Sequence, residues 1–423
     1  MRRLAITWLL ALPLSAAPPT LTLRQAEADA LANHPRIGAA RLEAAAASQQ
    51  VTQARAALFP FVSGNLTGAG APENTRIAAG ALNNPSILSR FSTGITATQL
   101  IYDFGRTSNF ASSVRYSAAA QQDTATATEA DVLLEVDRAF HAALRAQAVL
   151  TVANETVKTR QILADQVTEL AKSKLKSGLD VSFARVNLAE AKLLLANAQN
   201  DVDAAFAALS AAMGLPSAQR FELIEDPLPP APPSDFRDIL ATAIQKRPEL
   251  ESLRARRESA VKMFDSEKNL WLPSVSAVTS IGLVPGPHTD QLPDRYAAAG
   301  LNVNIPILNG RLYSARREEA NLLAQAAERR LQDRELQVAR DVRLAWLNAR
   351  NAWERLGLTR ELLDQARQAL ELAQARYDIG LSSIVELSQA QLNMTSAGIE
   401  QASAKYEYQI RRDELEYQMG ELR

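Results

Sequence analysis

The chain has 423 residues, 46 basic against 47 acidic, for a net charge of −1. That balance excludes the basic surface a nucleic-acid binder needs. A mean hydropathy of −0.14, with no apolar run near about 18 residues beyond the N-terminus, excludes a polytopic helical membrane protein. Aromatic residues at 5% and the absence of cysteine exclude an aromatic-rich core, a disulfide framework and a thiolate metal site.

Arg2 and Arg3, the apolar stretch from Leu4 to Leu12, then Pro13, Ser15, Ala16 and Ala17 read as a secretory signal peptide over residues 1–17. Residues 23–57 are rich in alanine with Glu, Arg and Gln interspersed, which predicts a helix that Pro60 ends. A strand to about Ala69, a loop over 70–85 dominated by Gly, Pro and Asn, and a second strand over 91–101 follow. After Gly105-Arg106 no Gly or Pro occurs until Gly178, so residues 107–176 are expected to form one helix, on the order of 100 Å long. A further helix is expected over 181–213, closing a segment that covers 18–225.

Asp226 to Pro233 is proline-rich and reads as an extended linker over 226–234. Residues 235–423 then repeat the first order: a helix over 236–270, strands over 273–283 and 296–305 around a loop with Pro285-Gly286-Pro287, a long helix over 312–378 and a last one over 382–419. In the second of these strands Leu301, Val303 and Ile305 alternate with Asn302 and Asn304, the period of a sheet with one apolar face. Landmarks recur in order at offsets between 202 and 213: Pro35 with Pro248, Pro60 with Pro273, Gly105-Arg106 with Gly310-Arg311, Gly178-Leu179 with Gly380-Leu381, and Met213-Gly214 with Met419-Gly420. The chain therefore reads as an internal duplication of helix, two strands, very long helix and helix.

The lengths suggest how the rods pack. In each half the two shorter helical segments together match the long one, so two stacked short helices would run beside it. Each strand has roughly the ten residues that cross a bilayer when tilted. Four strands cannot close a barrel, since spanning barrels start at about eight, and an open edge in lipid leaves backbone groups unpaired. Closure demands copies, and counting leaves both two chains and three open. Phe59, Phe61, Trp271 and Tyr296 fall at strand ends, the places of a barrel's aromatic girdle or of packing at the junction of rod and strand.

This order, together with Tyr377-Asp378-Ile379-Gly380-Leu381-Ser382-Ser383 at the second turn and Glu386 and Gln389 after it, resembles the TolC-like outer-membrane efflux proteins over essentially the whole mature chain. The resemblance implies a mainly α protein with a small β part: a homotrimer whose three chains give four strands each to one 12-stranded transmembrane β-barrel. Long antiparallel coiled-coil helices would form a periplasmic tunnel below it. The implied function is a passive exit duct of an efflux or type I secretion system in the outer-membrane lipid, opened by a periplasmic adaptor and an inner-membrane pump of RND, ABC or MFS type. By the same resemblance Glu386 and Gln389 fall at the pore constriction and Tyr377 and Ser382 at a gating latch; Gly178-Leu179 and Gly380-Leu381, at the turns that end each rod pair, are the expected docking tips for the adaptor. Gln389 departs from the family's second acid. Phe183 and Ala184 stand where polar latch partners are expected, leaving Arg185 to pair with Glu386 or Asp378.

Plainer readings stand beside these. Glu386 is also an ordinary charge near a helix N-terminus, and glycines at helix ends supply positive φ. His34, His141 and His288 are scattered without metal-ligand spacing. Glu27 with Asp29, and Glu318 with Glu319, read as solvated helix faces. Gly68-Ala69-Gly70 precedes no helix and carries no lysine, so it is no phosphate loop. Neither an enzyme nor a cofactor is expected. The alternative is a soluble periplasmic coiled-coil adaptor or scaffold, whose compact β-domains the two bilayer-length hairpins do not resemble.

Overall fold

The computed structural model describes residues 19–70, 77–79, 82–84, 90–285 and 294–422. The expected signal peptide and His288 lie outside the described residues. In chain order the elements are β1 (Thr20–Leu21), α1 (Leu23–Asn33), α2 (Pro35–Ala56), β2 (Phe61–Ala69), β3 (Ile77–Ala79), β4 (Leu82–Asn84), β5 (Arg90–Tyr102), α3 (Arg106–Lys172), α4 (Gly178–Ala212), β6 (Glu222–Leu223), α5 (Phe236–Lys246), α6 (Pro248–Lys268), β7 (Ser274–Leu283), β8 (Arg295–Asn304), α7 (Leu312–Asp378) and α8 (Ile384–Met419). Among the described residues no helix is long and apolar enough to cross a membrane.

The first expected helix is two helices. Thr22 caps α1 in a reciprocal box with Gln25. His34 then turns extended, at φ −70° and ψ 124°, because the ring of Pro35 clashes with a helical residue before it. Pro35 opens α2, at a position where its missing N–H costs nothing. The helix expected over 236–270 breaks for the same reason at Arg247, before Pro248, and ends in a single 3-10 turn at Asn269–Trp271. The long helices α3 and α7 are unbroken over 67 residues each. Part of the loop expected over 70–85 instead forms the small hairpin β3–β4.

Contacts divide the chain into two compact units, each drawing on both halves of the sequence: residues 1–38, 128–247 and 338–423 in one, 39–127 and 248–337 in the other. In the first, β1 pairs with β6 in parallel, Leu21 opposite Leu223. Beneath them Ala26 and Ala30 of α1 join Val132, Val136 and Phe140 of α3, Phe206 and Leu209 of α4 and Tyr406 of α8 in one core. The proline-rich linker is held to α7 and α8: Trp346 Nε1 donates to the Pro233 carbonyl at 2.8 Å, the Tyr408 hydroxyl donates to the Pro230 carbonyl, and Leu228 packs on Ala352, Leu356 and Tyr408. A linker without its own backbone pairing thus gains fixed partners from α7 and α8.

The second unit holds a four-stranded antiparallel sheet in the order β2–β5–β7–β8. Among the described residues neither β2 nor β8 has a second neighbour, so both edges keep a free row of backbone donors and acceptors.

Candidate functional site

The sheet has two chemically distinct faces. Residues directly opposite in register share a face. The pairs Ile95–Ile281–Ala297, Ala277–Leu301 and Val275–Val303 therefore lie together, with Val62, Leu66 and Leu283. On the other face fall Ser63, Asn65, Thr67, Thr96, Thr98, Ser276, Ser280, Asn302 and Asn304. The apolar face is exposed within the chain, Leu301 to 73% and Leu66 to 73%. A sheet with leucine, isoleucine and valine on one face and serine, threonine and asparagine on the other has the patterning of a wall between lipid and water.

Tyr296 belongs to the polar face, which places it away from the apolar side where a girdle residue would stand. Its ring lies across Gly94 and Gly282, its hydroxyl in the space that a Cβ at either position would fill. Glycine is required there because ring and backbone leave no room. Trp271 instead meets Tyr313 edge-on, with ring centroids 5.7 Å apart.

In the first unit the two helix turns share one core. Leu163, Ala164 and Val167 of α3 and Ala184 of α4 pack with Ala373 and Tyr377 of α7 and Ile384, Leu387 and Ala390 of α8. Asn187 donates to Ser388 Oγ at 2.7 Å, and Lys176 Nζ sits 4.1 Å from the centre of the Tyr377 ring. Both turns close in the same way. Lys174 (φ 57°) and Gly380 (φ 78°) are left-handed. Their N–H groups donate to Ala171 and Tyr377, while those of Leu175 and Leu381 donate to Leu170 and Arg376 at 2.9 and 2.8 Å. This is the Schellman ending of a helix.

Structure thereby corrects the pairing of the two turns. Gly178 is the first residue of α4, not a left-handed position; the counterpart of Gly380 is Lys174, and that of Leu381 is Leu175. Ser177 and Ser383 are the matching N-caps, and Asp180 matches Glu386 as the third residue after the cap. All these pairs share an offset of 206, which the recurrence of Met213 and Met419 already shows. Sequence reading missed Leu175 and Asp180 because it followed the glycines. The exposed apolar side chains of the turns are Leu175 (70%), Leu179, Ile379 and Leu381 (68%).

The two acids at the turns behave differently. Asp180 accepts from the Ser177 N–H and hydroxyl, which holds its carboxyl below the usual carboxylate range. Glu386 is exposed, and its ion pair is with Arg376 at 3.4 Å. The pairing expected for Arg185 is not formed within the chain: Glu386 faces Arg376, Asp378 accepts from Gln374 at 2.9 Å, and Arg185 is exposed. Gln389 is exposed on the same face and donates to Asn393 at 3.0 Å. Tyr377 is 3% exposed, and its hydroxyl and the Ser382 hydroxyl are buried without a hydrogen-bond partner in the chain. Burial, then the nearby Asp180 and Asp378, push the Tyr377 phenol up.

Sequence reading also set Glu27 aside as a solvated charge, yet it is half-buried against Asp137. Asp137 and His141 of α3 are both buried, and His141 Nε2 lies 3.1 Å from Asp413 of α8. Among the described residues no group of three or more His, Asp or Glu side chains has the arrangement to hold a metal.

Comparison with known proteins gives one consistent result. The family model "Outer membrane efflux protein" matches the chain twice, at residues 28–215 and 239–421. The probable efflux pump outer membrane protein TtgC of Pseudomonas putida is 24% identical over 372 residues, covering 86% of this chain and 75% of that protein. The outer membrane protein TolC of Escherichia coli is 24% identical over 422 residues, covering 95% of this chain and 82% of that protein. Among solved structures, the Campylobacter jejuni CmeC outer membrane channel superposes with a TM-score of 0.79 at 18% identity, over 94% of this chain and 85% of that one. The chain belongs to the TolC-like outer membrane efflux protein family, and its place is the cell outer membrane.

Proposed function

We propose that the chain is one third of a passive exit duct, three copies closing a single 12-stranded barrel in the outer membrane above a periplasmic helical tunnel. The observation that carries this reading is the four-stranded sheet with an apolar face, a polar face and, among the described residues, two unpaired edges. In lipid such edges must be paired by another chain, and the homotrimer expected from the family supplies that pairing. The internal duplication has the same support: the family model matches twice, and the elements recur in one order. This architecture favours the duct over a soluble periplasmic adaptor.

The turns form the tunnel's entrance in this reading. A periplasmic adaptor docks on the exposed leucines Leu175, Leu179 and Leu381 beside Gly178 and Gly380, and an inner-membrane pump supplies the energy. Three copies of Glu386 surround the pore with Gln389 one turn above, while the Asp180 carboxylate stays occupied by its capping box. The hydroxyls of Tyr377 and Ser382 are buried without a partner inside one chain; a small shift of the turn that uncovers them lets them bond a neighbouring copy and latch the closed state. Arg185, free of Glu386 in the chain, takes its acid partner from a neighbouring copy.

Planar-bilayer recording tests this reading. The purified protein should insert as a channel of small resting conductance with a preference for cations. Glu386→Gln should lower that preference severalfold, because a ring of carboxylates concentrates counter-ions in a narrow pore. Tyr377→Phe should raise the resting conductance with little change in the stability of the chain, since the lost hydroxyl bonds nothing within it. A protein that forms no channel would remove the duct; unchanged selectivity in Glu386→Gln would remove Glu386 from the pore.

A further inference from the structure

Three helices of the first unit leave a space between them. Val152, Thr156 and Arg160 of α3 recur at four-residue steps and share one helix face, and Gln391, Thr395 and Gly398 of α8 do the same at steps of four and three. Leu363 and Leu370 of α7 close the third side. The enclosed cavity measures about 610 Å³, within the range of about 300–1,000 Å³ usual for small-molecule sites. It stays open because the side chains that would fill it are small. A Cβ on Gly398 would already lie 3.4 Å from Val152 Cγ1, and Ala148 and Ala402 add only methyl groups to the lining.

Two polar groups of the lining are left unpaired. Gln391 is 4% exposed and Arg160 is 5% exposed, and among the described residues Gln391 Oε1 and Arg160 Nε have no hydrogen-bond partner. One is an acceptor and the other a donor, so they would satisfy each other if they met. Unpaired on one cavity, they match the two ends of a ligand. The guanidinium is also short of negative charge. Its Nη1 donates to the Asn187 carbonyl at 3.2 Å, and its ion pair with Glu190 is long, 3.9 Å, to a side chain 64% exposed. Arg367 brings a second cation to the cavity and Glu155 one exposed acid. The threonines donate elsewhere: Thr156 and Thr395 bond the Val152 and Gln391 carbonyls one turn back, at 2.8 and 3.0 Å.

We propose that this cavity binds an amphipathic organic anion. Its carboxylate or sulfonate accepts from Arg160, an O–H or N–H donates to Gln391 Oε1, and an apolar ring or chain lies against Val152, Leu370 and Met394. Water would meet the two polar groups but leave that apolar lining wet, whereas such an anion satisfies both. The site lies within one unit of a single chain, so it does not depend on the closure of a barrel.

Calorimetric titration of the purified protein in a non-ionic detergent, against a detergent blank, tests the site with 6-hydroxy-2-naphthoate. This acid should bind saturably, one per chain. Its methyl ester, which lacks the negative charge, should bind more than about tenfold more weakly, and 2-naphthoate, which lacks the hydroxyl, about two- to tenfold more weakly. Gln391→Leu should abolish the preference for the hydroxy acid and leave 2-naphthoate binding unchanged. Arg160→Met should weaken both acids by more than about tenfold, the worth of a charge-assisted bond. Absence of saturable binding to the parent protein, as when a neighbouring copy fills the cavity, would overturn the proposal. So would equal affinities for the acid and its ester, and neither result depends on a variant folding. Binding that survives Arg160→Met undiminished would also overturn it, by placing the ligand elsewhere. Equal weakening of both acids in Gln391→Leu would count against the contact with Gln391.

Discussion

An arginine at Leu301 should abolish assembly in the outer membrane, while an arginine at the adjacent Asn302 should leave assembled protein with altered conductance. Leu301 and Asn302 are neighbours in β8 but lie on opposite faces, opposite Ala277 and Ser276 of β7. A lysine or arginine at the midplane of a barrel's lipid face costs about 2–4 kcal/mol, whereas a lumen position tolerates charge. In a trimer the cost recurs three times, about 6–12 kcal/mol, which is comparable to the whole stability of about 5–15 kcal/mol that a fold keeps in reserve. The check is the yield of outer-membrane protein that runs as an oligomer before heating. Equal yields from the two variants would mean that the sheet does not separate lipid from lumen.

Gly282→Ala should cost about 1–3 kcal/mol, the usual penalty of overpacking a well-filled site. A Cβ there would press on the Thr93 carbonyl oxygen as well as the Tyr296 ring. Gly94→Ala presses chiefly on the Tyr296 hydroxyl, and on the Ile281 carbonyl at 2.9 Å. The two variants should therefore respond differently to Tyr296→Phe. Removing the hydroxyl should restore much of the loss at Gly94 and little of the loss at Gly282, where backbone is in the way. Thermal dissociation of the oligomer in the single and double variants measures this coupling. Equal rescue at both glycines would show that Tyr296 does not lie across them.

The strands, the long helices and the residue types of both turns were legible because each rests on local patterning. Leu301-Asn302-Val303-Asn304 shows its alternation in four residues, and the stretch without Gly or Pro between Arg106 and Gly178 can only be helix at that composition. The breaks at His34 and Arg247 were also written locally, in the prolines that follow them, but were hidden inside stretches whose composition favours helix on both sides. Gly178 misled for a different reason. Gly380 supplies the left-handed residue of its turn, and the matching residue is Lys174, which adopts positive φ without being glycine. A glycine search finds the wrong partner, whereas the constant offset of 206 finds the right one.

What the sequence hid depends on register between distant segments. Tyr296 meets Gly94 and Gly282 only through the pairing of β5, β7 and β8. Glu27, Asp137 and Asp413 lie far apart in the chain, each on a helix with charges of both signs, and nothing local separates them from solvated residues. Arg185 and Glu386 carry the right charges for an ion pair, but Arg376 on α7 reaches Glu386 within the same chain.

Electron cryo-microscopy of the detergent-purified protein decides whether three chains close one barrel. The expected particle is threefold, with β8 of one chain paired to β2 of the next so that twelve strands close, Leu66, Ile281 and Leu301 facing detergent and the Asn302 side chains lining the lumen. A monomeric particle, or a sheet whose apolar face is turned inward, would contradict it.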